Sequence, residues 1–252
     1  MSDFAPIVPA LRQAIAAHFE ERGEDMDTEA GRKTLDTNST LAAGRADMLV
    51  EAFFARSGHS TLEGLRVADL GCGFGAISLA LASRGASVVA IDPNKSRMRV
   101  GAALGEQFGF EIAFRRATLE EPGIEPGSVD LVVVNNALCY VMRRADRRTA
   151  LRSALAILKP GGWIVLRDPN RSHPRDVFTR VPLVHFAPPR VANAVLRAVG
   201  KHRSEVRLTT PGQAVRALRR AGFVDARFDG AGGPASALDR VAGYHHTSAR
   251  RP

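Results

Sequence analysis

The stretch from Leu65 to Asp92, LRVADLGCGFGAISLALASRGASVVAID, constrains the fold of this chain more than any other. Its apolar runs and glycines predict a strand, a tight turn, a helix and a second strand. Gly71, Gly73 and Gly75 can adopt positive φ angles, and they leave the backbone amides open to a ligand. Asp92 ends the second strand, where a carboxylate can accept hydrogen bonds from two ribose hydroxyls. The stretch therefore predicts a nucleotide-binding turn at the carboxyl edge of a parallel sheet.

Two kinds of nucleotide fit a turn of this kind. Gly71, Gly73 and Ala76 satisfy the loose dinucleotide pattern G-x-G-x-x-G/A, and an acidic residue follows at about the expected distance. Asp69, however, lies beside the turn where a dinucleotide would place its pyrophosphate. Like charges repel at that distance, whereas a carboxylate suits an ammonium group. The turn is therefore expected to prefer a nucleoside that carries an amino acid.

The motif V-A-D-L-G-C-G-F-G, followed by Asp92, resembles motif I of the class I S-adenosylmethionine-dependent methyltransferases. A second segment, L-K-P-G-G-W-I-V-L, resembles the signature that this family carries before its fifth strand. The resemblance covers the chain from about Leu62 to its carboxyl terminus. It implies an α/β fold with a Rossmann-like seven-stranded sheet, mostly parallel with an antiparallel final hairpin, and with helices on both faces. It also implies S-adenosyl-L-methionine as the cofactor.

The cofactor residues follow from the turn and from the resemblance. Asp69 is expected to hold the methionyl ammonium group and Asp92 the ribose. Thr118 stands where the family often has an aspartate that contacts adenine, and its hydroxyl can still accept a hydrogen bond. Arg45 is the candidate for the methionyl carboxylate, because family members hold that group with an arginine from the segment before the core. The full predicted set is Arg45, Asp69, Gly71, Cys72, Gly73, Gly75, Asp92, Pro93, Thr118, Leu119 and Asn135.

Periodicity and turn residues divide the rest of the chain. Residues 1–58 are expected to form a helical cap, and residues 59–252 a methyltransferase core with a lid inserted at about 169–209. The segment from Gly23 to Thr40 is polar and predicts no regular element. Helices are predicted at Pro9–Arg22, Leu41–Ser57, Ile77–Ala82, Asn94–Phe108, Ala145–Leu158, Pro189–Val199 and Gln213–Ala221. Strands are predicted at Arg66–Leu70, Ser87–Ile91, Glu111–Arg116, Val129–Val134, Trp163–Arg167, Phe223–Phe228 and Arg240–His246.

The acceptor site is expected beyond the fourth and fifth strands, under the lid. N-N-A-L after the fourth strand lacks the proline and aromatic residues typical of enzymes that modify base amino groups. If the acceptor is a phenol or an alcohol, His173 or His185 in the lid can remove its proton, and Tyr140 can face the substrate. An apolar cluster of Val184, Phe186 and Val191 is predicted within the lid. Arginines of the lid can bind an acidic substrate through bidentate contacts; they are Arg171, Arg175, Arg180 and Arg190.

Asp168 and Asn170 raise the possibility of a magnesium site like that of the catechol O-methyltransferases. Such a site also needs a carboxylate after the fourth strand, where this chain has Asn135 and Asn136. His245 and its neighbour on a strand would point to opposite faces. No metal site is therefore predicted.

Charge and cysteine content set broader limits. The formal charge of +9 and the pI of about 10.6 attract polyanions, but the positive residues are nearly all arginines spread along predicted helices. Cys72 and Cys139 support neither a disulfide framework nor a zinc cluster. No basic leader with an apolar core and no long apolar run is present in the sequence. We expect a soluble, cytoplasmic monomer or homodimer, with nucleic acid a less favoured partner.

The sequence thus predicts a methyltransferase that transfers a methyl group to a small molecule, with an acidic or aromatic compound as the candidate substrate. It most resembles the quinone and natural-product methyltransferases, and the choice among O-, C- and N-nucleophiles stays open. Three alternatives remain: an RNA methyltransferase, an NAD(P)-binding reductase, and a partner-binding module without catalysis.

Overall fold

A computed structural model describes residues 4–202, 205–229 and 242–252. Eight α-helices and seven β-strands are present in these ranges. The helices are α1 Ile7–Glu20, α2 Glu29–Asn38, α3 Ala42–Ser57, α4 Ala76–Ala82, α5 Lys95–Gln107, α6 Arg144–Ile157, α7 Pro189–Ala198 and α8 Pro211–Ala221. The strands are β1 Arg66–Leu70, β2 Ser87–Asp92, β3 Ile112–Arg116, β4 Val129–Asn135, β5 Leu158–Pro169, β6 Val224–Asp229 and β7 Tyr244–Arg250.

All seven strands form one sheet in the order β3-β2-β1-β4-β5-β7-β6. The pairs among β1 to β5 are parallel, whereas β7 pairs antiparallel with both β5 and β6. The predicted sheet, with its antiparallel final strands, is confirmed. The chain moves outward from β1 in one direction to β3 and then returns to β4 on the other side of β1. Ligands of open α/β sheets bind at such a reversal of strand order.

Alternating strand residues pack into two cores, one on each face of the sheet. On β4, Leu131 and Val133 join one core, and Val132 and Val134 join the other. The first core is covered by α1, α3, α4 and α5, and the second by α6 and α8. Because both faces are covered, the central strands read as continuous apolar runs. The predicted helices on both faces are confirmed.

The amino-terminal helices belong to the first core. α1 buries Leu11 and Ile15 completely, and α3 buries Phe53 to 1% exposure. The segment predicted to lack regular structure contains α2. Thr28 caps this helix by accepting a hydrogen bond from the backbone N–H of Gly31. The polar segment gave no periodic signal for α2, because this helix buries few apolar side chains and begins with a local cap.

Two strands, β5 and β7, differ from their predicted bounds by more than one residue at an end. β5 begins at Leu158, which pairs with Val129 before the register shifts and resumes at Trp163. The K-P-G-G segment is therefore an irregular part of the strand, and helix α6 ends at Ile157 before it. β7 begins at Tyr244 and extends to Arg250, later than predicted, because a polar sequence gives little period-two signal. The predicted glycine-rich loop between β6 and β7 lies outside the described residues.

The segment between β5 and α8 forms a small separate cluster rather than a plain connection. Val184, Ala192 and Leu196 are buried together, which ties α7 to the short turn before it. Phe186 and Val191, predicted to join an apolar cluster, are instead about half exposed. Of the helices described, none combines the length and the apolar character needed to cross a membrane.

Candidate functional site

A cleft of about 1750 Å³ opens at the carboxyl edge of the sheet, above the ends of β1, β2, β4 and β5. Its walls are the glycine turn after β1, the ends of α2 and α3, the segment after β4, and part of the segment after β5. Typical small-ligand pockets have about 300–1,000 Å³. The cleft therefore has room for two ligands side by side.

The glycine turn is fixed by short backbone contacts. The N–H groups of Gly71 and Cys72 both donate to the carbonyl oxygen of Ile91, at 2.8 and 2.9 Å. Gly71 has a φ of +87°, and a Cβ atom there would lie 2.3 Å from the Cβ of Ala137. Glycine is therefore required at this position by both conformation and space. A Cβ at Gly73, by contrast, would meet nothing within 4 Å.

Asp92 holds the turn in place. One carboxylate oxygen accepts a hydrogen bond from the N–H of Gly73 at 3.0 Å, and the other accepts one from the N–H of Asn94 at 2.8 Å. Each carboxylate oxygen has two lone pairs. Asp92 can therefore anchor the turn and still accept hydrogen bonds from a ligand in the cleft.

Asp69 lies at the floor of the cleft, and only 1% of the residue is exposed. The Ser78 hydroxyl donates to its carboxylate at 2.6 Å. Burial is the main reason that the pKa of Asp69 rises to about 7, and the nearby charge of Asp92 adds to it, while the Ser78 hydrogen bond opposes the rise. A cation in the cleft would stabilise the ionised form of this carboxyl group.

The other predicted cofactor residues also line the cleft. Arg45 reaches it from α3, with its guanidinium donating to the carbonyl oxygen of Thr37 at 2.6 Å. Its pKa is lowered chiefly by burial. The Thr118 hydroxyl accepts a hydrogen bond from the N–H of Glu121 at 3.3 Å, and so caps a turn as well. The remaining residues in this wall are Gly71, Cys72, Gly73, Pro93, Leu119 and Asn135.

Gly75 is the exception, because it lies behind the turn. Its φ is +77°, and a Cβ atom there would lie 2.9 Å from the ring of Phe114 and 3.0 Å from the Cα of Gly101. Gly75 therefore lets α4 and α5 approach each other.

Both cysteines of the chain, Cys72 and Cys139, are free thiols. Burial raises the pKa of both Cys72 and Cys139. A thiol with a raised pKa is a poor nucleophile.

A buried cation lies at the opposite end of the cleft from Asp92. Arg167, near the end of β5, is only 7% exposed, and its guanidinium lies 3.8 Å from the ring centroid of Tyr244. It donates to the side-chain oxygen of Asn135 at 3.3 Å, and its buried Nε has no hydrogen-bond partner. No carboxylate of the described residues lies within 4 Å of it. Burial lowers the pKa of Arg167 to about 10.

The three predicted catalytic residues separate in space. Tyr140 and His173 both line the cleft. His185 does not, because its ring packs inside the segment after β5. There its Nε2 lies 3.0 Å from the carbonyl oxygen of Arg171, and its Nδ1 lies 4.0 Å from the Asp176 carboxylate.

The lid arginines separate as well. Arg180 lines the cleft, and Arg171 lines a second cavity. Arg175 and Arg190 are exposed and line neither of these two.

Of the two residues considered for a metal, Asn170 has other partners, and Asp168 is buried. The Asn170 side chain accepts from the N–H of Ser172 and donates to the carbonyl oxygen of Ala242, both at 2.9 Å. Asp168 is 3% exposed, and burial raises its pKa to about 7, opposed mainly by the charge of Arg147. Within the described residues, no cluster of three or more histidines, cysteines and carboxylates has the geometry of a metal site.

Arg167 and Tyr244 line the cleft but were not among the predicted site residues. The available signal was a charged residue at the end of an otherwise apolar strand, W-I-V-L-R. Buried charges are uncommon unless they have a function or a partner. Tyr244 gave no signal, since only the antiparallel pairing of β5 and β7 brings it beside Arg167.

Residues 68–166 match the family model described as a methyltransferase domain. This range contains the glycine turn, Asp92 and the second signature segment. Over this range the chain is similar to methyltransferase domains. The resemblance inferred from the two sequence signatures is thereby confirmed.

A curated relative, a ubiquinone biosynthesis O-methyltransferase from Bordetella avium, is 33% identical over 119 residues. The match covers 47% of this chain and 48% of the relative, so the chain spans about half the length of the curated relatives it matches.

Solved structures of methyltransferases share the fold across most of the chain. An S-adenosylmethionine-dependent methyltransferase from Mesorhizobium loti is 25% identical, with a TM-score of 0.58, covering 82% of this chain and 100% of that one. A SAM-dependent methyltransferase from Aquifex aeolicus is 16% identical, with a TM-score of 0.60, covering 87% and 96%.

Proposed function

We propose that this protein is an S-adenosyl-L-methionine-dependent methyltransferase that acts on a small-molecule acceptor. The observation that carries this proposal is the turn after β1, with one carboxylate at its floor and another at its rim. Asp69 lies at the floor beneath Gly71, and Asp92 lies at the rim, where it binds the N–H of Gly73. This arrangement fits a nucleoside with a cationic amino acid tail better than a diphosphate.

The residues of the cleft fit the parts of the cofactor. Asp92 has lone pairs available for the ribose hydroxyls, and Asp69 lies where an ammonium group would stabilise its ionised form. Leu119 and Thr118 form the wall proposed for adenine. Arg45 is the proposed partner of the carboxylate, because it reaches the cleft from α3 with no carboxylate of the described residues within 4 Å. When bound, the cofactor supplies an electrophilic methyl group on a sulfonium.

The acceptor is proposed to be an anion, because the far end of the cleft holds a buried cation, Arg167, with no carboxylate of the described residues within 4 Å. Burying a charge without an opposite charge is costly, and an anionic ligand would offset that cost. Arg167 can offer a planar fork of donors to a carboxylate or phosphate, as its side chain is already held by Asn135 and Tyr244. Among the lid arginines, Arg180 is the one placed to assist.

His173 and Tyr140 are the side chains proposed to act on the acceptor. If the nucleophile is a hydroxyl, His173 is placed to accept its proton as the bond to the methyl carbon forms. Burial is the largest cause of the raised pKa of Tyr140, so its phenol stays protonated and can donate a hydrogen bond. Alignment and exclusion of water by the segment after β5 supply the rest.

The cofactor is tested by calorimetric titration with S-adenosylhomocysteine and, separately, with NAD. Binding of S-adenosylhomocysteine with no binding of NAD is expected. A preference for NAD would favour the reductase, and binding of neither would favour a module without catalysis. A methyl-labelled metabolite screen would then identify the acceptor, and labelling of RNA in place of metabolites would overturn the small-molecule assignment.

The anionic acceptor is tested with Arg167→Met and Arg167→Lys. Loss of a buried ionic contact costs about 2–5 kcal/mol, so the methionine variant should raise the KM for the acceptor at least about thirtyfold. The affinity for S-adenosylhomocysteine should not change, and lysine should rescue only part of the loss. Arg175→Met, an exposed lid variant outside the cleft, is the control. If the cofactor affinity falls and the acceptor KM does not, Arg167 serves the cofactor and the acceptor proposal is wrong.

A further inference from the structure

A second cavity of about 660 Å³ lies apart from the cleft, between α6, α8 and the segment after β5. Both helices direct an arginine-rich face towards this cavity. α6 contributes Arg144, Arg147 and Arg148 together with Leu151, and α8 contributes Arg216 and Arg220. These positions are three or four residues apart, which places them on one side of each helix. Arg171 and Arg207 complete the lining on the lid side.

The charge of this cavity is unusually one-sided. Its lining contains seven arginines and His185, and no aspartate or glutamate. None of the seven has a carboxylate of the described residues within 4 Å. The positive charge of Arg147 is the one partly offset, since the Asp168 charge acts on it from behind the cavity wall. The other arginines are left to repel one another unless an anion binds between them.

The inner wall is apolar, which distinguishes the cavity from a charged helix surface. Leu151, Val206 and Leu208 are buried beneath the arginines, at 3%, 6% and 9% exposure. Phe186 lies at the rim and is half exposed. A ligand that placed an apolar group on this wall would bring its charged end against the guanidinium groups.

The cavity is also held by backbone contacts. The N–H of Arg171 donates to the carbonyl oxygen of Thr209 at 3.0 Å, and the N–H of Arg207 donates to that of Cys139 at 2.8 Å. The Arg147 guanidinium donates to the carbonyl oxygens of Leu138 and Arg207. The walls are therefore joined to one another and to the segment after β4.

We propose that this cavity binds a phosphorylated small molecule with an apolar portion, independently of the methyltransferase site. Guanidinium groups donate pairs of parallel hydrogen bonds to phosphate oxygens, and several of them can share one phosphate. The volume lies within the range of pockets that hold single small ligands. A concave site between two helices fits such a molecule better than an extended nucleic acid strand, which needs a long groove.

The test compares two double variants that remove the same charge from the same two helices. Arg148→Gln with Arg216→Gln removes one cavity arginine from each helix. Arg152→Gln with Arg219→Gln removes one arginine from each helix outside the cavity. Binding of inorganic pyrophosphate is measured by calorimetry at physiological ionic strength, without cofactor.

The cavity pair should weaken pyrophosphate binding at least about tenfold, because two charge-assisted contacts are lost. The control pair should weaken binding clearly less than the cavity pair does, since neither Arg152 nor Arg219 lines the cavity and neither can donate directly to the anion. Phenyl phosphate should bind more tightly than inorganic phosphate, and this advantage should remain in the control pair. Unchanged affinity for S-adenosylhomocysteine in both pairs would verify folding.

Three results would overturn the proposal. Pyrophosphate could fail to bind at millimolar concentration, or both pairs could weaken it equally, and either result would make the arginines a solvated surface. A short single-stranded RNA that competes with pyrophosphate and is weakened equally by both pairs would indicate a diffuse nucleic-acid face instead. None of these measurements depends on methyl transfer.

Discussion

Replacing Asp92 with alanine is the sharpest test of the cofactor site. The carboxylate is proposed to accept hydrogen bonds from two ribose hydroxyls, and contacts of this kind to a charged group contribute about 1.5–3 kcal/mol each. Their loss corresponds to about 3–6 kcal/mol, or a fall in affinity of about 10²- to 10⁴-fold. The variant also removes the acceptor for the N–H of Gly73 at 3.0 Å, so the turn loses one anchor. The expected loss therefore lies toward the upper part of this range.

The assay is calorimetric titration of S-adenosylhomocysteine at pH 7.5, with thermal unfolding as a check on the fold. Asp92→Asn is the matched variant, since it keeps the shape and one acceptor oxygen but loses the charge. Because an amide NH₂ would face the N–H of either Gly73 or Asn94, the asparagine variant should lose at least about tenfold in affinity. An affinity within about threefold of the wild type in the alanine variant would refute the ribose assignment, since no rearrangement of the turn restores two acceptors.

Three further predictions address the floor of the cleft, the turn and the lid. The pKa of Asp69 is about 7 in the free protein, above its ordinary value of 3.8, so its contribution to the free energy of unfolding is present below about pH 4 and is lost as the pH rises through 7. S-adenosylhomocysteine should bind more weakly at pH 5.5, where Asp69 is protonated, than at pH 8, where it is ionised. Asp69→Asn should bind it more weakly than the wild type, with an affinity that is nearly independent of pH. Gly71→Ala should lower the free energy of unfolding in urea by about 3 kcal/mol, because of both the contact with Ala137 and the positive φ. Gly73→Ala shares the positive φ but has open space around it, so it should cost only about 1 kcal/mol. His185→Gln should leave the pH profile of kcat unchanged and destabilise the protein by about 1 kcal/mol. Loss of the acidic limb of that profile, the fall in kcat at low pH, would instead make this histidine a catalytic base.

Local sequence predicted most of the fold because the elements around the sheet carry strong, consistent signals. Few other conformations suit the apolar run of β4 or the glycine turn after β1, and those would cost free energy. The structure confirms both elements. α2 escaped prediction because its stability depends on a cap at Thr28 and on contacts made after folding. The start of β7 escaped because its partners, β5 and β6, supply the pairing that its own polar sequence does not indicate.

The residues of the candidate site also divide into those that local sequence predicts and those that only tertiary packing positions. The sequence by itself determined the turn, Asp69 and Asp92, because these residues lie within one strand-turn-helix-strand unit whose geometry is local. Only the tertiary structure decided that His173 reaches the cleft while His185 packs away from it, since both lie in one long segment whose path depends on packing. Only the tertiary structure, likewise, placed Arg167 against Tyr244. The two residues are far apart in the chain, and an antiparallel pairing brings them together, so no local pattern could reveal their contact.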